Sequence, residues 1–165
     1  MVQVVANMTA ELSAVIGCGN PDRGDHGVGF DVIRRLASRA GPRVVLLDAV
    51  SDGMAVMFGA RGCASLIIVD ACTTGGDPGA MFELPGHALA VRQPPSFALR
   101  EFRWDHALYA GRKMFGAAFP TDVTVLLIEA RSVALGLGLS DEVTAAAARA
   151  VVRIEQLLVQ RRAFS

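Results

Sequence analysis

The sequence predicts an α/β domain of three layers, a twisted and mostly parallel sheet with helices on both faces. Three observations lead there. Short runs rich in Val, Ile and Leu recur at 13–17, 44–50, 66–71 and 123–130, each bounded by Gly, Pro, Asp or Thr. Such continuous runs suit strands buried on both faces. Stretches of helical length and pattern alternate with them, and right-handed crossovers then distribute helices over both faces of one sheet. The 165 residues amount to one domain spanning 1–165, with allowance for a flexible N-terminal segment over 1–11.

The first run, Ser13 to Gly17, opens into a glycine-rich loop. A helix is expected from Val28 to Ala40, because Val28, Val32, Ile33, Leu36 and Ala40 share a stripe while Asp31, Arg34, Arg35 and Arg39 face elsewhere; Gly41-Pro42 stops it. The second strand is read over Val44 to Val50. Asp52 to Arg61 carries a weak helical signal, diluted by its glycines. The third strand is Leu66 to Ala71. After a turn around Asp77-Pro78-Gly79, Met81 to Leu84 reads as an edge strand, expected to run antiparallel. Gly86 to Arg103, with Pro94-Pro95, is a long excursion, and Trp104 to Phe115 a helix with Gly116 beyond its end. The last strand, Val123 to Ala130, precedes the clearest helix: Ser140 can cap it, Asp141 and Glu142 occupy its first turn, and basic residues gather near its end at Arg162.

Composition narrows the function classes. Sixteen basic and sixteen acidic side chains cancel, so there is no basic field for nucleic acid or for an anionic membrane surface. No apolar run reaches the span of a bilayer, and the opening residues lack the pattern of a signal peptide. Cys18, Cys63 and Cys72 are odd in number and scattered, against a disulfide framework. A cytoplasmic protein is the resulting expectation.

Ligands of open α/β sheets bind beyond the carboxyl ends of strands. That rule selects the loop Gly17-Cys18-Gly19-Asn20 through Gly29, then Asp48, then Asp70 with Ala71-Cys72-Thr73-Thr74-Gly75-Gly76, and finally Glu129. A dinucleotide fingerprint fails in the loop, because Asp22 stands where the third glycine belongs, and no Gly-Lys-Ser/Thr ending follows. Asp22 and Asp25 also have the wrong sign for phosphate. His26, Asp70 and His106 are candidate ligands for a divalent transition metal, since imidazole with a carboxylate suits zinc, nickel or non-haem iron. Each has a plainer reading. Asp25 suits a helix cap, Asp70 suits backbone amides at a strand end, His106 a partly buried helical position, and His87 a solvated loop. Cys18 and Cys72 lie near strand ends where a thiolate could act as nucleophile, although free cysteine is often just a small buried hydrophobe.

Val15-Ile16-Gly17-Cys18-Gly19-Asn20, followed by Arg23-Gly24-Asp25-His26-Gly27-Val28-Gly29, resembles the amino-terminal signature of the nickel–iron hydrogenase maturation endopeptidases. Ile67-Ile68-Val69-Asp70-Ala71, Pro78-Gly79, His106 at a helix start and Gly136-Leu137-Gly138-Leu139-Ser140 follow in the family's order. The resemblance implies a twisted sheet flanked by helices and an endopeptidase that trims a carboxy-terminal extension from the [NiFe]-hydrogenase large-subunit precursor after nickel insertion. It implies metal ligands at His26, Asp70 and His106, with Asp25 and Asn20 as supporting residues and no individual residue assigned to bond cleavage. Nickel is then supplied by the precursor, and no tightly bound cofactor is expected.

Two positions depart from the family pattern. His26 stands where an acidic ligand is usual, which leaves the site one negative charge poorer, and Asp25 is an alternative ligand. Ser51-Asp52-Gly53-Met54 stands where the family more often has Gly-Gly-Thr-x-Gly. The alternatives are a non-catalytic relative that binds nickel or the precursor, and a nucleotide-binding α/β module.

Overall fold

The computed structural model describes residues 12–50, 52–89 and 103–163. In chain order the elements are β1 (Ser13–Gly17), α1 (Val28–Leu36), β2 (Val44–Asp48), α2 (Gly53–Ala60), β3 (Ser65–Cys72), β4 (Met81–Pro85), α3 (Trp104–Phe115), β5 (Asp122–Glu129) and α4 (Asp141–Ala163). Short 3-10 turns cover Gly24–Gly27, Gly86–Leu89 and Gly116–Ala118. The sheet order is β2-β1-β3-β5-β4. All pairings are parallel except β4 with β5, which is antiparallel as the edge position of Met81 to Leu84 suggested.

The alternation of side chains along each strand divides the core into two. Ala14, Ile16, Leu66, Ile68 and Val125 pack with Val56 and Met57 of α2 and with Ala107 and Leu108 of α3. Val15, Ile67, Val69, Leu126 and Ile128 pack with Val32 and Leu36 of α1 and with Ala147 and Ile154 of α4. The three-layer expectation therefore holds, with α2 and α3 on one face and α1 and α4 on the other.

The differences from the sequence reading are local. β2 stops at Asp48 and not at Val50, which takes a positive φ of 36° and ends the extended run. α1 ends at Leu36; Arg39 and Ala40 both donate to the Leu36 carbonyl in a tighter closing turn. α2 forms despite its glycines, because Asp52 caps it by accepting from the Met54 amide at 2.9 Å. Gly59 also has a packing reason, since a Cβ there would meet Leu47 Cδ2 at 2.6 Å. His87 is exposed in its 3-10 turn, as expected. The segment 1–11 and residues 90–102 of the long excursion, Pro94-Pro95 included, lie outside the described residues. No helix among the described residues is long and apolar enough to cross a membrane.

This strand order positions the site. From β1 the chain crosses to β2 on one side, while β3 lies on the other, so the carboxyl ends of β1 and β3 flank a topological switch point. Gly17 pairs with Val69 in register, which places the loop leaving β1 beside Asp70.

Candidate active site

The loop after β1 is shaped by close approach. Gly17 and Gly29 pack backbone against backbone: a Cβ on Gly17 would stand 2.2 Å from the Gly29 carbonyl oxygen. Gly19 has φ +119°, and a Cβ there would fall 1.8 Å from the His26 carbonyl oxygen. Asn20 donates its amide to that same carbonyl at 3.1 Å, while its side-chain oxygen accepts from the Asp22 amide at 2.9 Å. The glycines thus fold the loop back on the strand so that His26 is presented over the end of β3. Asn20 braces the loop through these bonds and is not among the described residues that line the cleft.

His26 Nε2 lies 3.9 Å from Oδ1 of Asp70, whose side chain is buried beneath it. Asp70 Oδ2 accepts the Trp104 indole N–H at 2.8 Å, and Oδ1 accepts the Ala71 amide at 2.8 Å. The expected backbone partner of a strand-end aspartate is therefore present, together with a buried side-chain donor. Burial pushes the Asp70 pKa up, while Trp104, the Ala71 amide, His26 and Arg103 pull it down; burial wins. Arg103 brings a guanidinium nitrogen to 4.0 Å from Oδ2. A cleft of about 530 Å³ opens above, with Arg23, His26, Cys72, Arg103, Trp104 and Val133 among its walls.

Asp25 does not cap α1. Gly27 is the N-cap residue of α1, without a side-chain cap. The Asp25 carboxylate is instead buried and accepts from the amides of Arg131 (2.8 Å), Ser132 (3.2 Å) and Ser140 (2.7 Å) and from the Ser140 hydroxyl (3.0 Å). Desolvation would raise its pKa, but these donors outweigh it and hold the carboxyl below the usual range. Ser140, expected to cap α4, gives both its donors to Asp25, because the loop before α4 crosses the loop after β1. The bridge between Arg23 and Gly136 closes the same junction.

Glu129 ends β5 opposite Cys72, its register partner. Its buried carboxylate accepts from the Thr74 amide at 2.8 Å, the Thr74 hydroxyl at 2.7 Å, the Gly75 amide at 3.0 Å and the Cys72 thiol at 3.3 Å. It moulds the loop after β3 into one wall of the cleft. For Cys72, burial first and then the neighbouring Glu129 carboxylate push the thiol up to about 12. Burial pushes the Cys18 thiol up as well. Both therefore remain protonated near neutral pH, the opposite of an activated nucleophile.

Of the three residues singled out as ligands, His26 and Asp70 come together. His106 is half-buried in the first turn of α3, and its amide donates to Asp105 Oδ1 at 3.0 Å; it is not among the described residues that line the cleft. Among the described residues no three His, Cys, Asp or Glu side chains form a group that could hold a metal ion. Sequence reasoning missed Trp104, Arg103 and Arg23. The one signal available was that Trp104, the single tryptophan, opens a helix whose first turn also carries the singled-out His106.

The family model for hydrogenase maturation protease matches residues 30–157. That match begins after the loop carrying His26. The fold is similar to a hydrogenase maturating endopeptidase of Escherichia coli, with a TM-score of 0.75, 24% identity, and 91% of this chain and 93% of that one covered. Two [NiFe] hydrogenase maturation proteases of Thermococcus kodakarensis are similar at TM-scores of 0.72 and 0.70, with 23% and 20% identity. They cover 89% and 94% of this chain, and 99% and 98% of their own. No curated protein matches the sequence. With the family model spanning well over half of its length, the chain belongs to the hydrogenase maturation proteases, a family of peptide-bond hydrolases.

Proposed function

We propose that the chain is the endopeptidase that removes the carboxy-terminal extension of a [NiFe]-hydrogenase large-subunit precursor once nickel has been inserted. The observation that carries this reading is the pairing of His26 and Asp70, 3.9 Å apart at the switch point of a sheet with the maturation-protease fold.

One imidazole nitrogen and one buried carboxylate oxygen form a donor pair that nickel accepts, and the two atoms are close enough for one ion to touch both. Nickel belongs to the client in this scheme, so it is part of the substrate. Asp70, held by Trp104 and the Ala71 amide, offers a carboxylate oxygen; His26, held by the Gly19 turn, offers an imidazole nitrogen; His106 is the proposed third contact. These residues would hold the client's nickel beside the scissile bond, where the ion would supply Lewis-acid chemistry. The reaction takes place in the cytoplasm.

The test is intact-mass measurement of a cognate precursor, nickel-loaded and metal-free, incubated with the protein. Loss of a short carboxy-terminal peptide from the nickel-loaded form alone is the expected result. Equal trimming of both forms would remove nickel from the scheme.

A second reading is a relative that binds the precursor without cutting it. It is favoured by the engagement of Asp25 with the 131–140 loop, which leaves His26 in the acidic residue's place and, among the described residues, Asp70 as the carboxylate beside it. Nickel-dependent binding without cleavage would establish it.

A further inference from the structure

The cleft has a charge asymmetry that the His26–Asp70 pair does not use. Its described walls carry two guanidinium groups, Arg23 and Arg103, and no acidic side chain. Among the described residues, the two nearby carboxylates are already engaged. Asp70 lies beneath, bonded to Trp104 and the Ala71 amide. Glu129 is closed off by Thr74, Gly75 and Cys72. Asp22 and Asp105 adjoin the two arginines in sequence but form no ion pair with them among the described residues.

Arg23 is oriented by one hydrogen bond, and Arg103 stands in a loose ion pair with Asp70. Arg23 donates its Nε to the Val133 carbonyl at 3.1 Å, which lays the side chain along the wall and leaves its terminal nitrogens for another acceptor. The Arg103 side chain is 63% exposed, and its 4.0 Å separation from Asp70 is beyond hydrogen-bond distance. Planar guanidinium forks match carboxylates in geometry as well as charge. The same walls carry the apolar Trp104, Leu127 and Val133, around a space of about 530 Å³ that is too large for a small inorganic anion. The wall continues into the loop that exposes Leu135 and Leu137, at 82% and 86%. Apolar contact flanked by two forks is the chemistry of a peptide with carboxylate side chains.

We infer that Arg23 and Arg103 are specificity residues that read carboxylate side chains of the client segment lying in this cleft, so that an acidic stretch docks beside the His26–Asp70 pair. This rests on the proteolytic reading for the identity of the client. The division of labour is electrostatic: the buried carboxylate faces the client's cation, and the two rim cations face its anions.

The experiment uses the whole protein and three fluorescein-labelled peptides of alternating Ala and Glu, Ala and Gln, or Ala and Lys, with binding followed by fluorescence polarisation. The Glu peptide is expected to bind at least about tenfold tighter than the Gln peptide, and Arg103→Gln to remove about tenfold of that affinity. The double variant with Arg23→Gln abolishes the preference, and Arg103→Lys recovers part of it because charge survives without the fork. Arg103→Gln changes an exposed residue and guards against a folding artefact at Arg23. Equal affinity for Glu and Gln peptides, no binding of the Glu peptide, or an unaltered preference in the double variant each overturns the inference. In the precursor assay Arg103→Gln and the double variant raise KM more than they lower kcat. Arginine-dependent binding of the Glu peptide by a protein that cuts no precursor would sink the proteolytic reading and leave the carboxylate site standing.

Discussion

Trp104, the first residue of α3, donates its indole N–H to Oδ2 of Asp70 at 2.8 Å, tying a helix start to a strand end 34 residues away. Both side chains are buried, so the bond is sheltered from water and sets the direction of the carboxylate. The same contact stations Arg103, one residue earlier, at the rim. Trp104→Phe keeps the ring's bulk and deletes the donor. Burial then acts on Asp70 with less compensation, and a loss of about 1–2 kcal/mol of stability is expected with cleavage reduced roughly tenfold. Thermal unfolding and the precursor assay check both effects; undiminished cleavage would show that the indole does not orient Asp70.

Asp70→Ala removes the charged member of the pair. Nickel-dependent cleavage is expected to fall at least about a hundredfold while circular dichroism stays unchanged. Unchanged cleavage would end the role assigned to this carboxylate.

Asp25→Ala leaves three backbone amides and the Ser140 hydroxyl without their acceptor, at a cost of about 3 kcal/mol. The sign of its pH dependence follows from a folded-state pKa held below the unfolded one. Its contribution is complete above the ordinary aspartate value of about 3.9 and is lost as pH falls through the lower folded value. Urea midpoints of wild type and variant should therefore differ at neutral pH and converge in acid. A constant difference across that range would contradict the assignment.

Gly19→Ala places a methyl group against the His26 carbonyl in a backbone conformation that disfavours a side chain. The loop must move, so His26 leaves Asp70. A drop in melting temperature equivalent to about 1–3 kcal/mol is expected, with loss of cleavage. Cleavage at the wild-type rate would mean that the loop's conformation is unimportant.

Neither strand-end thiol is poised to react. Iodoacetamide at about pH 7.5 is expected to leave Cys18 and Cys72 of the folded protein unmodified, and Cys72→Ser to retain cleavage within about threefold. Rapid alkylation of Cys72 together with loss of activity would revive the thiol as a nucleophile.

The strands, the helices and the antiparallel edge were legible because each depends on local patterning: apolar runs of strand length, a helical stripe, acidic and basic ends on α4. Asp70 and His26 were legible as candidates because a strand's carboxyl end and a glycine-rich turn are places where this architecture directs side chains to the switch point. Asp25 was not, since its partners at 131–140 are more than a hundred residues away and spacing carries no trace of them. Trp104 hid for the same reason: its sequence marks it as the start of a helix, and only the packing of α3 on the sheet turns its N–H towards Asp70. The sequence by itself determined which segments become strands and helices, through hydrophobic periodicity and capping. Only the tertiary structure decided which polar groups satisfy one another, because a buried carboxylate takes its partners from whatever donors the folded chain brings to it, wherever they lie in the sequence.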